Sequence, residues 1–113
     1  MTLHEDVPYL KHMIDAMNDI EESIENKTKE DFVKNKDVKD ATIRRIEVLG
    51  EAAKNISTEL KTKHPEVPWK GIIGMRDKLI HHYLGVDLDQ VWVAVKEDIP
   101  KLKRQIQSIL DEV

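Results

Sequence analysis

The sequence predicts an all-α fold, a bundle of four to five helices in a single domain that spans residues 1–113. Three observations lead to this prediction. A length of 113 residues fits one domain with a modest core. Hydrophobic residues make up 40% of the chain but aromatic residues only 4%, so Ile, Leu, Val, Met and Ala must form that core. These apolar residues recur at the spacing of an α-helix along most of the sequence.

The first predicted helix runs from about residue 7 to residue 25. Asp6 is a candidate N-cap, and Pro8 then lies in the first helical turn, where a proline is tolerated. Only Glu21 interrupts its apolar stripe, which consists of Leu10, Met13, Ile14, Met17, Ile20 and Ile24. Because the methionines lie at helical spacing, we expect them to fill the core.

Residues 27–36 are predicted to be a polar connector, either a short helix or a loop, with Thr28 as a cap candidate. Strong helical periodicity returns over residues 37–56. Gly50 and the alanines that follow it are small, which lets helix axes approach closely. Glu51 falls on the other side of this helix, where it faces solvent or a second chain.

Residues 58–63 form at most a short helix, because His64-Pro65 and Pro68 interrupt the pattern. A helix that we call the motif helix then covers residues 68–85, with Trp69 as a packing anchor in its first turn. Asp87 is expected to cap a last helix. Pro100 lies inside that helix and lacks a backbone donor, which predicts a kink or a short break at about residues 98–99.

The motif helix places a charged residue, Arg76, in an apolar stripe of Ile72, Met75, Leu79, Ile80 and Tyr83. A guanidinium keeps its charge and is rarely buried without a partner. The position of Arg76 therefore predicts a nearby anion, a cleft or a second chain. Alternatively, its guanidinium reaches water while its apolar stem covers the stripe. A helical projection turns His81 away from this stripe and brings His82 toward it, partly packed. In one straight helix, Arg76, His81 and Tyr83 would not converge.

Charge and composition limit the other possibilities. The formal net charge is −4, but residues 41–85 contain 8 Lys and Arg against 5 Asp and Glu, a balance of +3 that leaves −7 for the rest. The absence of cysteine excludes disulfides and thiolate chemistry and is compatible with a reducing cytoplasm. Neither a signal peptide nor an apolar run of about 20 residues is visible. We expect a cytoplasmic protein without a membrane partner.

Arg76, His81 and Tyr83 have the R-x4-H-x-Y spacing of the HEPN superfamily, and the chain most resembles the HepT-like toxins in it. Asp77 also agrees, because a small polar residue often follows the arginine there. The similarity extends over most of the chain, through DATIRRIEVLGEAAKNIS at residues 40–57, HPEVPWKGIIGMRDKLIHHYLGVD at 64–87 and VWVAVKEDIPKLKRQI at 91–106.

The resemblance implies a HEPN-type helical bundle that forms a homodimer, in which two motifs face one cleft. It implies a metal-independent endoribonuclease toxin without a cofactor. Arg76 would stabilise the phosphate, His81 would act as general acid or base, and Tyr83 would position the substrate. Asp77 and His82 are possible supporting residues, and the role of His82 is ambiguous because the superfamily permits other spacings.

The resemblance also implies a partner, a nucleotidyltransferase antitoxin of the MntA type. In some such systems the antitoxin transfers AMP to a tyrosine of the toxin. This chain has two tyrosines, Tyr9 and Tyr83, and Tyr83 is the acceptor that the motif region offers.

Two alternatives come from other classes of protein. One is a non-catalytic helical module that binds nucleotide or nucleic acid, or that docks to a nucleotidyltransferase. The other is a metal site built from His64, Asp77, His81 and His82, although these lack the Glu and Glu-x-x-His pattern of helical metal proteins. We predict no metal.

Overall fold

The computed structural model describes residues 2–82 and 85–113, and only the backbone of residues 2–4. The described residues are all-helical and contain no strand. They form α1 (Thr2–Ile24), α2 (Lys29–Lys34), α3 (Lys36–Lys54), α4 (Thr58–Lys63), α5 (Trp69–His81), α6 (Leu88–Val93), a π-helical turn (Ala94–Asp98) and α7 (Ile99–Asp111). The predicted all-α class is confirmed.

The predicted count of four to five helices corresponds to the long helical segments. These are α1, α3, α5 and the continuous segment from α6 to α7. The additional helices α2 and α4 have six residues each. Helix α3 packs against both α1 and α5, and α7 packs against α1. Their buried side chains form the core, including Leu10, Met13, Met17, Ile20, Ile46, Leu49, Ala53, Leu79, Val95 and Ile106.

The predicted start of the first helix is wrong. Helix α1 begins at Thr2, so Pro8 lies beyond its first turn and Asp6 is inside the helix. Asp6 is 2% exposed and accepts hydrogen bonds from the backbone N–H of Ser57 (2.8 Å) and from its hydroxyl (2.6 Å). The carboxylate therefore joins α1 to the N-terminus of α4, where the Ser57 hydroxyl caps the helix by accepting from the Leu60 N–H.

Local capping follows the sequence prediction elsewhere. Thr28 and Asp31 form a capping box at the start of α2, with the Thr28 N–H donating to the Asp31 carboxylate at 2.9 Å. Hydrogen bonds from the backbone and the hydroxyl of Thr28 lower the pKa of Asp31 below its ordinary value. Asp87 caps α6 as predicted, and Trp69 is buried in the first turn of α5. The indole N–H of Trp69 donates to the His64 carbonyl at 3.0 Å.

The irregularity near Pro100 is a widened turn that ends at Asp98, where the kink or break was predicted. Pro100 has no N–H to donate to the carbonyl four residues before it. In the π-helical turn that precedes α7, the N–H of Ile99 bonds to the carbonyl of Ala94, five residues back. The chain thus continues as a helix past the proline instead of breaking.

Ion pairs connect α1 both to α3 and to α7. Arg45 of α3 pairs with Asp19 of α1 at 2.7 Å. Glu21, the one interruption of the α1 stripe, pairs with Lys103 of α7 at 2.7 Å. No helix in the described ranges has the length and apolar character needed to cross a bilayer.

Candidate functional site

The site forms where α5 crosses α3. The stem of Arg76 lies against Gly50, where α3 presents no side chain. A Cβ atom added at Gly50 would overlap the Cβ of Arg76 and lie 3.0 Å from its Cγ and 3.2 Å from its Cδ. The small residue predicted to permit close helix packing therefore makes room for the arginine of the motif.

Two carboxylates within the chain hold the Arg76 guanidinium. Its Nη2 lies 2.8 Å from Glu51 of α3, and its Nη1 lies 2.7 Å from the neighbouring Asp77. The Nε is buried and has no hydrogen-bond partner among the described residues. The Arg76 side chain is 18% exposed. Glu51, expected to face solvent or a second chain, thus supplies an anion for Arg76, and no second surface is needed to balance its charge.

The charge around the guanidinium decides how an anion can bind it. One arginine and two carboxylates have a formal sum of −1, so an approaching phosphate meets a net negative charge. The Glu51 side chain is 55% exposed, however, and can turn into solvent without a large desolvation cost. A phosphate can therefore take its place on the guanidinium, which keeps donors free on both terminal nitrogens.

Arg76 also lines a groove of about 440 Å³ between α1, α3 and α5. The lining residues are Tyr9 and His12 from α1, Arg44, Glu47, Val48, Glu51, Ala52 and Asn55 from the α3 region, and Arg76 and Ile80 from α5. The rings of Tyr9 and His12 lie edge to face, with centroids 6.3 Å apart and an angle of 88° between their planes. The groove therefore combines cationic, aromatic and apolar groups.

The two histidines lie at the C-terminal end of α5. His81 is its last residue and is exposed, as its position away from the stripe predicted. His82 is exposed too, so the prediction that it is partly packed is wrong. Packing of His82 on the apolar stripe requires the helix to include residue 82. Helix α5 ends at His81, and His82 is outside helical geometry, with φ −136° and ψ 40°. Tyr83, with its predicted positioning and AMP-acceptor roles, lies outside the described residues.

The structure does not bring all the candidate residues together. It joins Arg76 to Asp77, but no hydrogen bond or ion pair in the described ranges connects Arg76 to His81 or His82. In a single chain Arg76, in the middle of α5, and the exposed His81, at its end, thus make no direct contact of this kind.

The alternative metal site is not assembled. One of its four candidate ligands, His64, lies instead beside Glu66 at 3.1 Å and Glu112 at 3.7 Å. A hydrogen bond from the backbone of Glu66 itself, followed by one from His64, lowers the pKa of Glu66. Among the described residues, no three His, Asp or Glu side chains lie close enough to share a metal ion.

Sequence reasoning missed most of the groove. Tyr9 and His12 are three residues apart, and Arg44, Glu47 and Glu51 recur at helical spacing, so the pattern places each set on one helix face. Nothing in the pattern says that these two faces meet beside Arg76, because that depends on how α1 and α5 pack on α3.

Comparison with known proteins finds relatives that are named as ribonucleases. Residues 13–109 match the family described as "Ribonuclease HepT-like". The "Probable ribonuclease HepT" of Thermococcus cleftensis is 46% identical over 101 residues, which cover 89% of this chain and 92% of that protein. The "Putative RNase TTE0752" of Caldanaerobacter subterraneus is 42% identical over 105 residues, 93% of this chain and 94% of that protein.

A longer relative is the "Gamma-glutamylcyclotransferase and putative RNase MJ0434" of Methanocaldococcus jannaschii. It is 48% identical over 105 residues, which cover 93% of this chain but 47% of that protein. This chain thus spans about half the length of that relative. No solved structure matches the chain.

Proposed function

Because the chain belongs to the ribonuclease HepT-like family, we propose that it is a metal-independent endoribonuclease that acts as a toxin on cellular RNA. The observation that carries the proposal is the position of Arg76. Its guanidinium is held beside a groove by two carboxylates that are about half exposed, five residues before an exposed histidine on the same helix. Arginine binds phosphate through parallel N–H donors, and histidine exchanges protons near neutral pH.

The proposed reaction cleaves a phosphodiester bond of RNA by attack of the adjacent 2′-hydroxyl. One His81 imidazole takes the 2′-hydroxyl proton, the 2′-oxygen attacks phosphorus, and the bond to the 5′-oxygen breaks. A protonated His81 gives its proton to that leaving oxygen, so the products are a 2′,3′-cyclic phosphate and a 5′-hydroxyl. Arg76 stabilises the charge on the pentacoordinate phosphorus. Tyr83 positions the phosphate, and Asp77 holds the guanidinium.

A homodimer provides the second histidine that this reaction uses. The resemblance to HepT-like toxins supports this dimer, in which two motifs would face one cleft. Two copies of His81 in one cleft would then serve as base and acid. Sedimentation of the purified chain tests this step, since a 13.1 kDa monomer at micromolar concentration would contradict the composite cleft.

We further propose that a nucleotidyltransferase antitoxin of the MntA type neutralises the toxin. The resemblance to HepT-like toxins supports this partner, and Tyr83 is its proposed AMP acceptor. Co-expression with a nucleotidyltransferase encoded beside this gene should restore growth. Mass spectrometry should find AMP on the wild-type chain, and Tyr83→Phe should lose it. A gene neighbourhood without a nucleotidyltransferase would count against this part of the proposal.

Three substitutions test the enzyme assignment. We expect Arg76→Ala and His81→Ala each to lower RNA cleavage by about 10²–10⁴-fold, the usual loss when a general acid or base is removed. Growth inhibition should disappear with cleavage, while circular dichroism and sedimentation stay unchanged. His82→Ala is the matched control: it removes another exposed histidine, next in sequence, and should keep substantial activity.

The same experiment tests the alternative of a non-catalytic binding module. Wild-type protein that cleaves no cellular RNA, or His81→Ala protein that folds and cleaves like wild type, would refute the nuclease assignment. RNA binding that survives in either case would then favour the module.

A further inference from the structure

We propose that the groove between α1, α3 and α5 binds one nucleotide of an RNA strand next to the phosphate on Arg76. The ring of Tyr9 contacts its base, and Arg44 contacts the phosphate on its other side. This subsite determines how the substrate is held, and none of its additional residues belongs to the R-x4-H-x-Y motif. It rests on the proposed function in one respect, that the ligand is RNA.

The dimensions of the groove fit this ligand. Its volume is about 440 Å³, within the range of about 300–1,000 Å³ that is usual for small-molecule sites. Helix α3 supplies most of its lining, with α1 and α5 contributing two residues each. Val48, Ala52 and Ile80 give it apolar surface that the faces of a base can cover.

The distribution of charge predicts which part of the nucleotide lies where. The groove contains two arginines and two glutamates, so it has no net charge with His12 neutral. Arg44 precedes Glu51, the partner of Arg76, by seven residues of α3, a rise of about 10 Å. Arg44 therefore stands near one end of the groove and about two helical turns from Arg76, with Glu47 between them. Phosphates are attracted to the two arginines, and the carboxylates favour the uncharged base and ribose, whose hydroxyl and amino groups can donate to them.

Arg44 is available to a phosphate. Its nearest carboxylate partner, Glu47, lies 3.7 Å away, too far for a hydrogen bond, and the Arg44 side chain is 72% exposed. An exposed pair of this kind contributes little stability, so a phosphate can displace Glu47 at small cost. Its neighbour Arg45 is already held by Asp19 at 2.7 Å and does not line the groove.

The aromatic side of the groove is anchored by Tyr9. Tyr9 is partly buried and packs against the core, and its ring meets His12 edge to face. Such a ring offers a rigid contact to a base, and stacking on aromatic side chains tolerates any base because each has a π-face. The subsite should therefore hold a nucleotide with little sequence preference.

Binding can be measured apart from cleavage with a fluorescent 2′-O-methyl RNA oligonucleotide, which lacks the attacking hydroxyl. Two matched pairs of variants test the subsite by fluorescence anisotropy at several salt concentrations. Arg44→Gln should weaken binding and reduce the slope of log Kd against log salt by about 0.7, the contribution of one phosphate contact on a single strand. Arg45→Gln, the same change one residue later, should leave the slope unchanged.

Tyr9→Leu keeps an apolar side chain against the core but removes the ring, and should raise Kd by at least about five-fold. Tyr9→Phe keeps the ring and should bind like wild type. Thermal unfolding of all four variants establishes that they fold.

The outcomes separate this inference from the proposed function. The subsite is refuted if the wild-type protein cleaves RNA but the Arg44 and Arg45 variants bind the oligonucleotide equally well, and the Tyr9→Leu and Tyr9→Phe variants also bind it equally well. Variants at Tyr9 or Arg44 that dissociate a dimer also refute it, because the groove is then a contact between chains. Wild-type protein that never cleaves RNA, yet binds it with the predicted dependence on Tyr9 and Arg44, supports the subsite and refutes the nuclease.

Discussion

Replacing Gly50 with alanine tests the close contact between α3 and α5 that positions Arg76. The added methyl would overlap the Cβ of Arg76 and stand 3.0 Å from its Cγ, whereas carbon atoms pack at about 3.5–4.0 Å. A Cβ atom cannot move away by changing a side-chain rotamer, so the two helices must separate. Overpacking of this kind costs about 1–3 kcal/mol, partly offset by the gain of about 1 kcal/mol in helix propensity.

Gly74→Ala is the matched control because it lies on α5 and a Cβ added there meets nothing within 4 Å. It gains the same helix propensity without the overlap, so we expect it to be up to about 1 kcal/mol more stable than wild type. Gly50→Ala should be up to about 2 kcal/mol less stable than wild type. Urea unfolding followed by circular dichroism gives both free energies of unfolding.

The same pair has a functional readout. Displacement of Arg76 by about 1 Å can cost a catalyst about 100-fold in rate, so Gly50→Ala should lose RNA cleavage while Gly74→Ala keeps it. The reasoning would be refuted if Gly50→Ala were stabilised as much as Gly74→Ala, because the overlap between α3 and α5 would then not exist.

Three further outcomes are expected. Asp6→Ala should lower the free energy of unfolding by about 2–3 kcal/mol, because it leaves the Ser57 donors without their charged acceptor. The control Asp15→Ala, at an exposed position on the same helix, should change it by about 0.5 kcal/mol or less. Equal effects of the two substitutions in urea unfolding would contradict the buried link between Asp6 and Ser57. The lowered pKa of Asp31 means that its carboxylate stabilises the fold above its unfolded pKa and loses that effect as the pH falls through the folded value. Wild type should therefore exceed Asp31→Asn in Tm at pH 7 and not at pH 2, and a constant difference would be evidence against the capping box of Thr28. RNA cleavage should persist in EDTA and leave a 2′,3′-cyclic phosphate or the 3′-phosphate formed from it, so activity that EDTA abolishes and magnesium restores would require another mechanism.

The local sequence predicted the features whose causes lie within a few residues. Apolar spacing gave the long helices, Thr28 was placed correctly as the cap of α2, and Asp87 was placed correctly as the cap of α6. The break at His64-Pro65 and the buried Trp69 also followed from the sequence. Each of these depends on interactions within one or two helical turns, so neighbouring residues contain the necessary information.

Errors arose where a distant residue competes for a polar group. Asp6 is of a residue type that is common at N-caps, but its carboxylate binds Ser57, 51 residues later. Helix α1 begins before it, at Thr2. His82 was assigned to the apolar stripe by a projection that assumed a helix through residue 85, whereas α5 ends at His81. A periodic pattern cannot show where tertiary contacts end a helix.

The sequence by itself determined the all-α class, the family resemblance and the presence of Arg76 in an apolar stripe. Only the tertiary structure decided what surrounds that arginine. Glu51 reaches it across the contact between α3 and α5, Gly50 makes room for its stem, and Tyr9 of α1 lines the same groove. Each residue was visible in the sequence, but helical periodicity fixes only the face of its own helix on which a side chain lies. The packing of one helix on another then decides which faces meet, because burial of apolar surface over the whole core sets their relative positions.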